Sequence, residues 1–540
     1  MTASTTTVTV DITDSRLAAA AAPLAARLVE DKVASKITAQ DPTLWGAEAE
    51  QEAAIRLGWT TLHVTSRQLI GEITDLHTEL QADGIDRVVL AGMGGSSLAP
   101  EVIAATEPVT LTVLDTTDPG QVADALAGDL TRTVLVVSSK SGTTAETESQ
   151  RRIFAAAFAE EGIDPASRMV VVTDPGSPLA ELATQEGYRK VFLADPTVGG
   201  RYSALTAFGL VPAGLAGADI ARLLDQATAA ANQLSDDSVA NPAIQLAAAF
   251  GAAHEAGAEK IALTDTGSGI VGLSAWIEQL VAESTGKHGT GLLPVVVESA
   301  EAPGFTDAGD DATTVSIGKI TDHPGAAAIV TEGSLGGQFL LWEYATAIVG
   351  RLLGINPFDQ PDVEAAKRAA RTLLDGSASS TIAPSAVMGS IEVYASSGVS
   401  GEGSLTDLLR QFVATVPENG YLAVQAYLDR QDDASASLLR AELAKRTGVQ
   451  VTFGWGPRFL HSTGQYHKGG HPNGVFLQLT GAVEEDLDVP GLPYQLSTLQ
   501  LAQARGDAEV LTDRGRPVLR LHLTDRLAGL AELVRAVQDL

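Results

Sequence analysis

The chain has no cysteine among its 540 residues, which excludes disulfides, thiol catalysis and cysteine-ligated metals. Aromatic residues make up only 5%. Basic residues are also scarce: 36 Lys and Arg stand against 67 Asp and Glu, a formal charge of −31. Such a field argues against nucleic acid or an anionic membrane surface as partner. A phosphorylated ligand would need a local cationic or amide-lined site. No stretch reaches the roughly 18 unbroken apolar residues of a membrane span; even Phe192 to Leu215 is interrupted by Asp195, Pro196 and Arg201. The first residues show no basic region followed by an apolar core, so no signal peptide is expected and the cytoplasm is the default location. H-E-x-x-H, the G-x-S-x-G elbow and the Gly-Lys-Ser/Thr ending of a P-loop are absent as well.

What is present points to an α/β protein of about two to four domains. Short apolar runs alternate with helical patterns: Val88–Ala91, Leu111–Asp115, Thr133–Ser138 and Met169–Asp174, then again Lys260–Asp265, Leu293–Val297 and Ala328–Val330. Continuous apolar strands alternating with helices predict parallel sheets covered on both faces. The pattern reads as a helical lead-in over 1–50, a first lobe over 51–235, a second over 236–375 and a C-terminal α/β region over 376–540. The last holds strand candidates at Val449–Phe453, Val475–Leu479 and Val518–His522. Residues 297–313 and 376–405, rich in Gly, Ser, Ala and acids, read as loops.

Five segments carry chemistry. Gly92-Met93-Gly94-Gly95-Ser96-Ser97 follows a strand and opens a helix, where free N–H groups suit an anion. A dinucleotide fingerprint is weakened there by Ser97 in the third glycine's place, although Asp115 ends the next strand. Ser139-Lys140-Ser141-Gly142-Thr143-Thr144 offers more hydroxyls than one helix cap needs, which suits a phosphate monoester. Gly199-Gly200-Arg201 sets a glycine-flanked cation that can face a cleft. Gln279 and Glu283 lie four apart on one helix face, and Gly286 is expected to take a left-handed cap after them. Gln360 and Lys367 lie two helical turns apart. His461, His467 and His471 cluster without a carboxylate in the same run, so a polar loop or anion site is expected rather than a metal.

Taken in order, these motifs resemble phosphoglucose isomerase. The most specific are Phe358-Asp359-Gln360-Pro361 and Glu283-Ser284-Thr285-Gly286-Lys287. The C-terminal part, including Gly456 to Gln465, resembles the isomerase half of bacterial transaldolase–phosphoglucose isomerase fusions, here expected to stand alone. The resemblance implies two sugar-isomerase (SIS-type) lobes and reversible isomerisation of glucose 6-phosphate to fructose 6-phosphate through a cis-enediol, with no metal or other cofactor. It implies Glu283 as the base, Arg201 beside the enediolate and Lys367 at the ring oxygen. Ser96, Ser139, Ser141 and Thr144 would hold the phosphate and Gln279 and Gln360 the sugar, with Gly94, Gly95, Lys140, Thr143 and Gly200 also expected to bind the substrate or its phosphate. The family's ring-opening histidine has no clear counterpart; His323, His461 and His467 are the candidates. A homodimer is implied. A dual phosphoglucose/phosphomannose isomerase, and a sugar-phosphate-binding regulator without catalysis, remain alternatives.

Overall fold

The computed structural model describes residues 7–319, 327–374, 383–395 and 403–540, apart from the side chains of 363–367. Strand β1 (Thr9–Ile12) and the helix Ser15–Glu30 come first. The first sheet is built from β2 (Arg87–Gly92), β3 (Thr112–Leu114), β4 (Thr133–Ser138), β5 (Met169–Thr173) and β6 (Lys190–Leu193). All its pairings are parallel. The second contains β7 (Lys260–Asp265), β8 (Leu293–Val296), β9 (Ala312–Ile317) and β10 (Ile329–Glu332). There β1 adds to β10 as an antiparallel edge strand, so the lead-in is not helix alone. The third holds β11 (Ala386–Met388), β12 (Ile391–Ala395), β13 (Tyr421–Tyr427), β14 (Gln450–Trp455), β15 (Gly474–Gly481) and β16 (Val518–Leu523).

The three sheets share one strand order. They run β3-β2-β4-β5, β8-β7-β9-β10 and β14-β13-β15-β16, each extended at its far edge. In each, the first strand of the parallel run lies between the second and the third. Connections therefore leave in opposite directions from the first and third strands. The crevice beyond their carboxyl ends is where open α/β sheets take ligands. In the first sheet that crevice lies between the loops after β2 and β4, which are the Gly92–Ser97 and Ser139–Thr144 segments.

The strands form because their residues are apolar on both faces: Val134 to Val137 of β4 are at most 1% exposed. The C-terminal sheet does not stand apart. Tyr421, Tyr466 and Phe476 pack in one apolar cluster with Ala262, Leu293 and Val295 of the second lobe. Arg440 binds Glu298 across the same seam, its Nε 2.7 Å from Oε1.

Two stretches differ from the loop expectation. β11 and β12 fall within 376–405, and β9 begins at Ala312. β11 and β12 are short antiparallel strands at the sheet edge, with alternating rather than continuous burial. That pattern in so few residues resembles a polar loop. Among the described residues no helix is long and apolar enough to cross a membrane.

Candidate active site

Glu283 sits in the last turn of the helix Leu273–Thr285, which follows β7. Trp276, Ile277, Leu280 and Val281 bury one side of that helix and fix its rotation. Gln279 and Glu283 then share another face. Gln279 Nε2 donates to Glu283 Oε2 at 3.2 Å and to the carbonyl of His461 at 2.7 Å. The helix ends at Gly286 with φ −73°, so the expected left-handed cap is not formed. Glycine is needed there for space: a Cβ would lie 2.4 Å from Cα of Tyr466.

Arg201 lies in the short turn Gly200–Tyr202 and is 2% exposed. All of its N–H groups are engaged. Nε donates to Ser284 Oγ at 2.8 Å, and Nη1 donates to Glu283 Oε1 at 3.1 Å and Gln360 Oε1 at 3.0 Å. Nη2 donates to the carbonyls of Pro357 at 2.7 Å and Asp359 at 3.0 Å. The guanidinium is thus clamped between the helix end and the Asn356–Gln360 loop. Lys287 holds the same loop: its buried ammonium donates to the carbonyl of Asn356 and to Asp359 Oδ1, the latter at 2.7 Å. Burial, and then the neighbouring charge of Arg201, pull the Lys287 pKa down to about 7.

The turn is placed by the loop after β2. A Cβ on Gly95 would lie 2.0 Å from the carbonyl oxygen of Gly200, so only glycine lets the two backbones approach this closely. Gly94 and Ser96 complete this turn, and both are buried.

The hydroxyl loop after β4 stands close by. Ser139 Oγ and Thr144 Oγ1 are 2.9 Å apart, and Ser141 Oγ and Thr143 Oγ1 are 3.0 Å apart. Thr144 precedes the helix Ala145–Glu160 without capping it through its side chain. Ser141, Thr143 and Thr144 line a cavity of about 310 Å³ together with Glu146, Arg371 and His461. His461 Nε2 lies 2.9 Å from Glu146 Oε1, which also accepts from Gln503 Nε2 at 2.7 Å. The C-terminal region therefore supplies part of this cavity wall.

The family model for phosphoglucose isomerase matches residues 67–314. A Haloarcula marismortui protein named "Probable glucose-6-phosphate isomerase" is 30% identical over 346 residues, covering 54% of this chain and 79% of that relative. The chain belongs to the phosphoglucose isomerase family. A glucose-6-phosphate isomerase of Thermosynechococcus vestitus is 32% identical over 355 residues, covering 54% of this chain and 66% of its own length. A solved glucose-6-phosphate isomerase from Chlamydia trachomatis shares the fold, with a TM-score of 0.53 at 20% identity over 68% of this chain and 87% of that one.

In this phosphoglucose isomerase family member, the structure brings Glu283, Arg201, Gln279, Gln360, Gly200 and the Gly94–Ser96 turn together. Lys140 turns away: its Nζ is 2.5 Å from Asp174 Oδ2. His323 lies outside the described residues, and so does the Lys367 side chain, although the backbone of Lys367 belongs to the helix Val363–Leu374. His467 is packed among Tyr421, Phe459 and Phe476, with Nδ1 2.9 Å from the Tyr421 hydroxyl. Burial drives its pKa well below the usual histidine value, so it is a neutral core residue. Glu146, Arg371 and Lys468 line the cavity and Lys287 holds the Asn356–Gln360 loop, and none of the four was singled out as a candidate from the sequence. Lys287 had a signal, since it ends the Glu283–Lys287 motif, and Glu146 had one in standing two residues after the hydroxyl loop. Lys468, whose Nζ is 2.5 Å from Asp507 Oδ1, gave none.

Proposed function

We propose that the chain interconverts glucose 6-phosphate and fructose 6-phosphate by moving a proton between C2 and C1 through a cis-enediol. The observation that carries this reading is the Glu283–Arg201 pair. A base next to a carbonyl carbon needs a fixed cation for the oxyanion that develops, and Arg keeps its charge at any working pH. Here the cation is locked by backbone carbonyls, so little reorganisation is needed at the moment of proton transfer. Ser96, Ser139, Ser141, Thr143 and Thr144, with Gly94, Gly95 and the N-terminal end of the Ala145–Glu160 helix, would take the phosphate. Gln279 and Gln360 would contact the sugar, and Lys367 would serve the ring oxygen.

Ring opening is assigned to His461 rather than to buried His467. His461 Nε2 lies 2.9 Å from Glu146 Oε1; we read Nε2 as the nitrogen held by the carboxylate and Nδ1 as the one that serves the sugar. The protein is read as a cytoplasmic homodimer, for which light scattering should give twice the 55.8 kDa chain mass.

A coupled assay on the purified chain with glucose 6-phosphate tests the reading. Glu283→Gln should lower kcat by about 10²–10⁴-fold while leaving sugar-phosphate binding intact. Near-normal turnover in that variant would remove Glu283 from the mechanism. Mannose 6-phosphate in a parallel assay reports whether the enzyme discriminates at C2.

A further inference from the structure

The C-terminal sheet repeats the strand order of the two lobes, so it has a crevice of its own beyond β13 and β15. The loop after β2 in the first lobe carries Gly94, Gly95, Ser96 and Ser97 and no charged residue. Its counterpart after β13 is Asp429-Arg430-Gln431-Asp432-Asp433. An acidic loop in that position suits a cation where a hydroxyl loop suits a phosphate.

One oxygen from each of Asp124, Asp429 and Asp432 lies within 4.8 Å of the other two. Asp124 comes from the first lobe, on the helix Pro119–Leu126. Asp429 and Asp432 come from the C-terminal region. Asp124 and Asp432 are exposed, but Asp429 is only 2% exposed. Its Oδ1 accepts the amides of Gln431 at 2.8 Å and Asp432 at 3.1 Å. Its Oδ2 is buried and has no hydrogen-bond partner. That oxygen is aimed at the helix of Asp124: a Cβ on Gly120, one turn before Asp124, would lie 3.2 Å from it.

The surrounding charges do not satisfy it. Arg526 is shared between Asp118 at 2.8 Å and Asp433 at 3.0 Å. Arg430 turns to Glu101 at 2.7 Å. Among the described residues no cation pairs with Asp429. A buried carboxylate oxygen without a donor or a cation is costly. All three donors are carboxylates, with no imidazole or sulfur, which selects a hard divalent ion. Calcium, with oxygen contacts of roughly 2.3–2.6 Å, can bridge oxygens at this separation.

We propose that Asp124, Asp429 and Asp432 bind a calcium ion that fastens the C-terminal region to the first lobe. The role is structural and independent of the isomerase reading. The site is tested on the full chain, stripped with a chelator, by calorimetric titration with calcium and by thermal unfolding with and without it. One equivalent should bind and raise Tm. Asp429→Asn should weaken binding at least about tenfold and abolish the Tm shift. Asp124→Ala, at an exposed position that does not threaten folding, should do the same. Magnesium is run in parallel, and tighter magnesium than calcium binding would contradict the choice of ion. No binding or Tm shift with millimolar calcium would overturn the site, as would a shift kept in both variants. In the first case a proton on Asp429 would account for its free oxygen.

Discussion

Arg201 has five N–H groups and five acceptors, two of them backbone carbonyls in one loop. A lysine offers three donors from a single point and cannot reproduce that fork. Arg201→Lys should therefore lower kcat/KM by about 10²-fold or more, mostly through kcat, because the clamp serves a charge that appears during reaction. Steady-state kinetics with an equal loss in KM alone would make Arg201 a binding residue only. Lys287 gives a pH signature. Its folded pKa of about 7 lies below its unfolded value near 10.5, so the unfolded chain binds more protons between those values and the group's contribution to stability rises with pH across that window. Relative to the parent, Lys287→Met should lose this rise, up to about 1.4 kcal/mol per pH unit. Denaturant unfolding at pH 7 and pH 9 measures it. Glu283, Arg201 and Gln360 were legible in the sequence because they stand in ordered motifs. Lys287 stood in the same motif, but its role depends on a contact 72 residues away with Asp359, which no local pattern reveals.

At the scale of elements, the site depends on how the loop after β2 meets the turn that carries Arg201. Gly95→Ala would drive a methyl group into the carbonyl of Gly200. The turn must then shift, and a loss of about 1–3 kcal/mol in stability is expected, with a fall in activity. Thermal unfolding and the coupled assay together check this; an unchanged variant would mean that the two loops are loosely joined. β2, β4, β5 and β7 were legible because their apolar runs are continuous, as a sheet buried on both faces requires. β13 was not: Tyr421-Leu422-Ala423-Val424-Gln425-Ala426-Tyr427 is buried throughout, yet it carries Gln425 and two alanines. β1 is four residues long, with Thr9 and Asp11 on its exposed positions, and it becomes a strand only because β10 offers an edge.

At the scale of the molecule, three sheets of one strand order pack around shared seams, and the C-terminal region reaches the cavity through His461. This arrangement was invisible in the sequence because Glu146 and His461 are 315 residues apart. His461→Ala should reduce turnover of glucose 6-phosphate by about 10²-fold, while Glu283-dependent exchange on the open-chain sugar survives. The central claim is that Glu283 carries the proton between C2 and C1. The most direct measurement is deuterium incorporation at C1 of fructose 6-phosphate in heavy water, followed by NMR for the parent and for Glu283→Gln. The account predicts incorporation with the parent and none above background with Glu283→Gln, although that variant still binds the sugar phosphate. Equal incorporation by both proteins would contradict it.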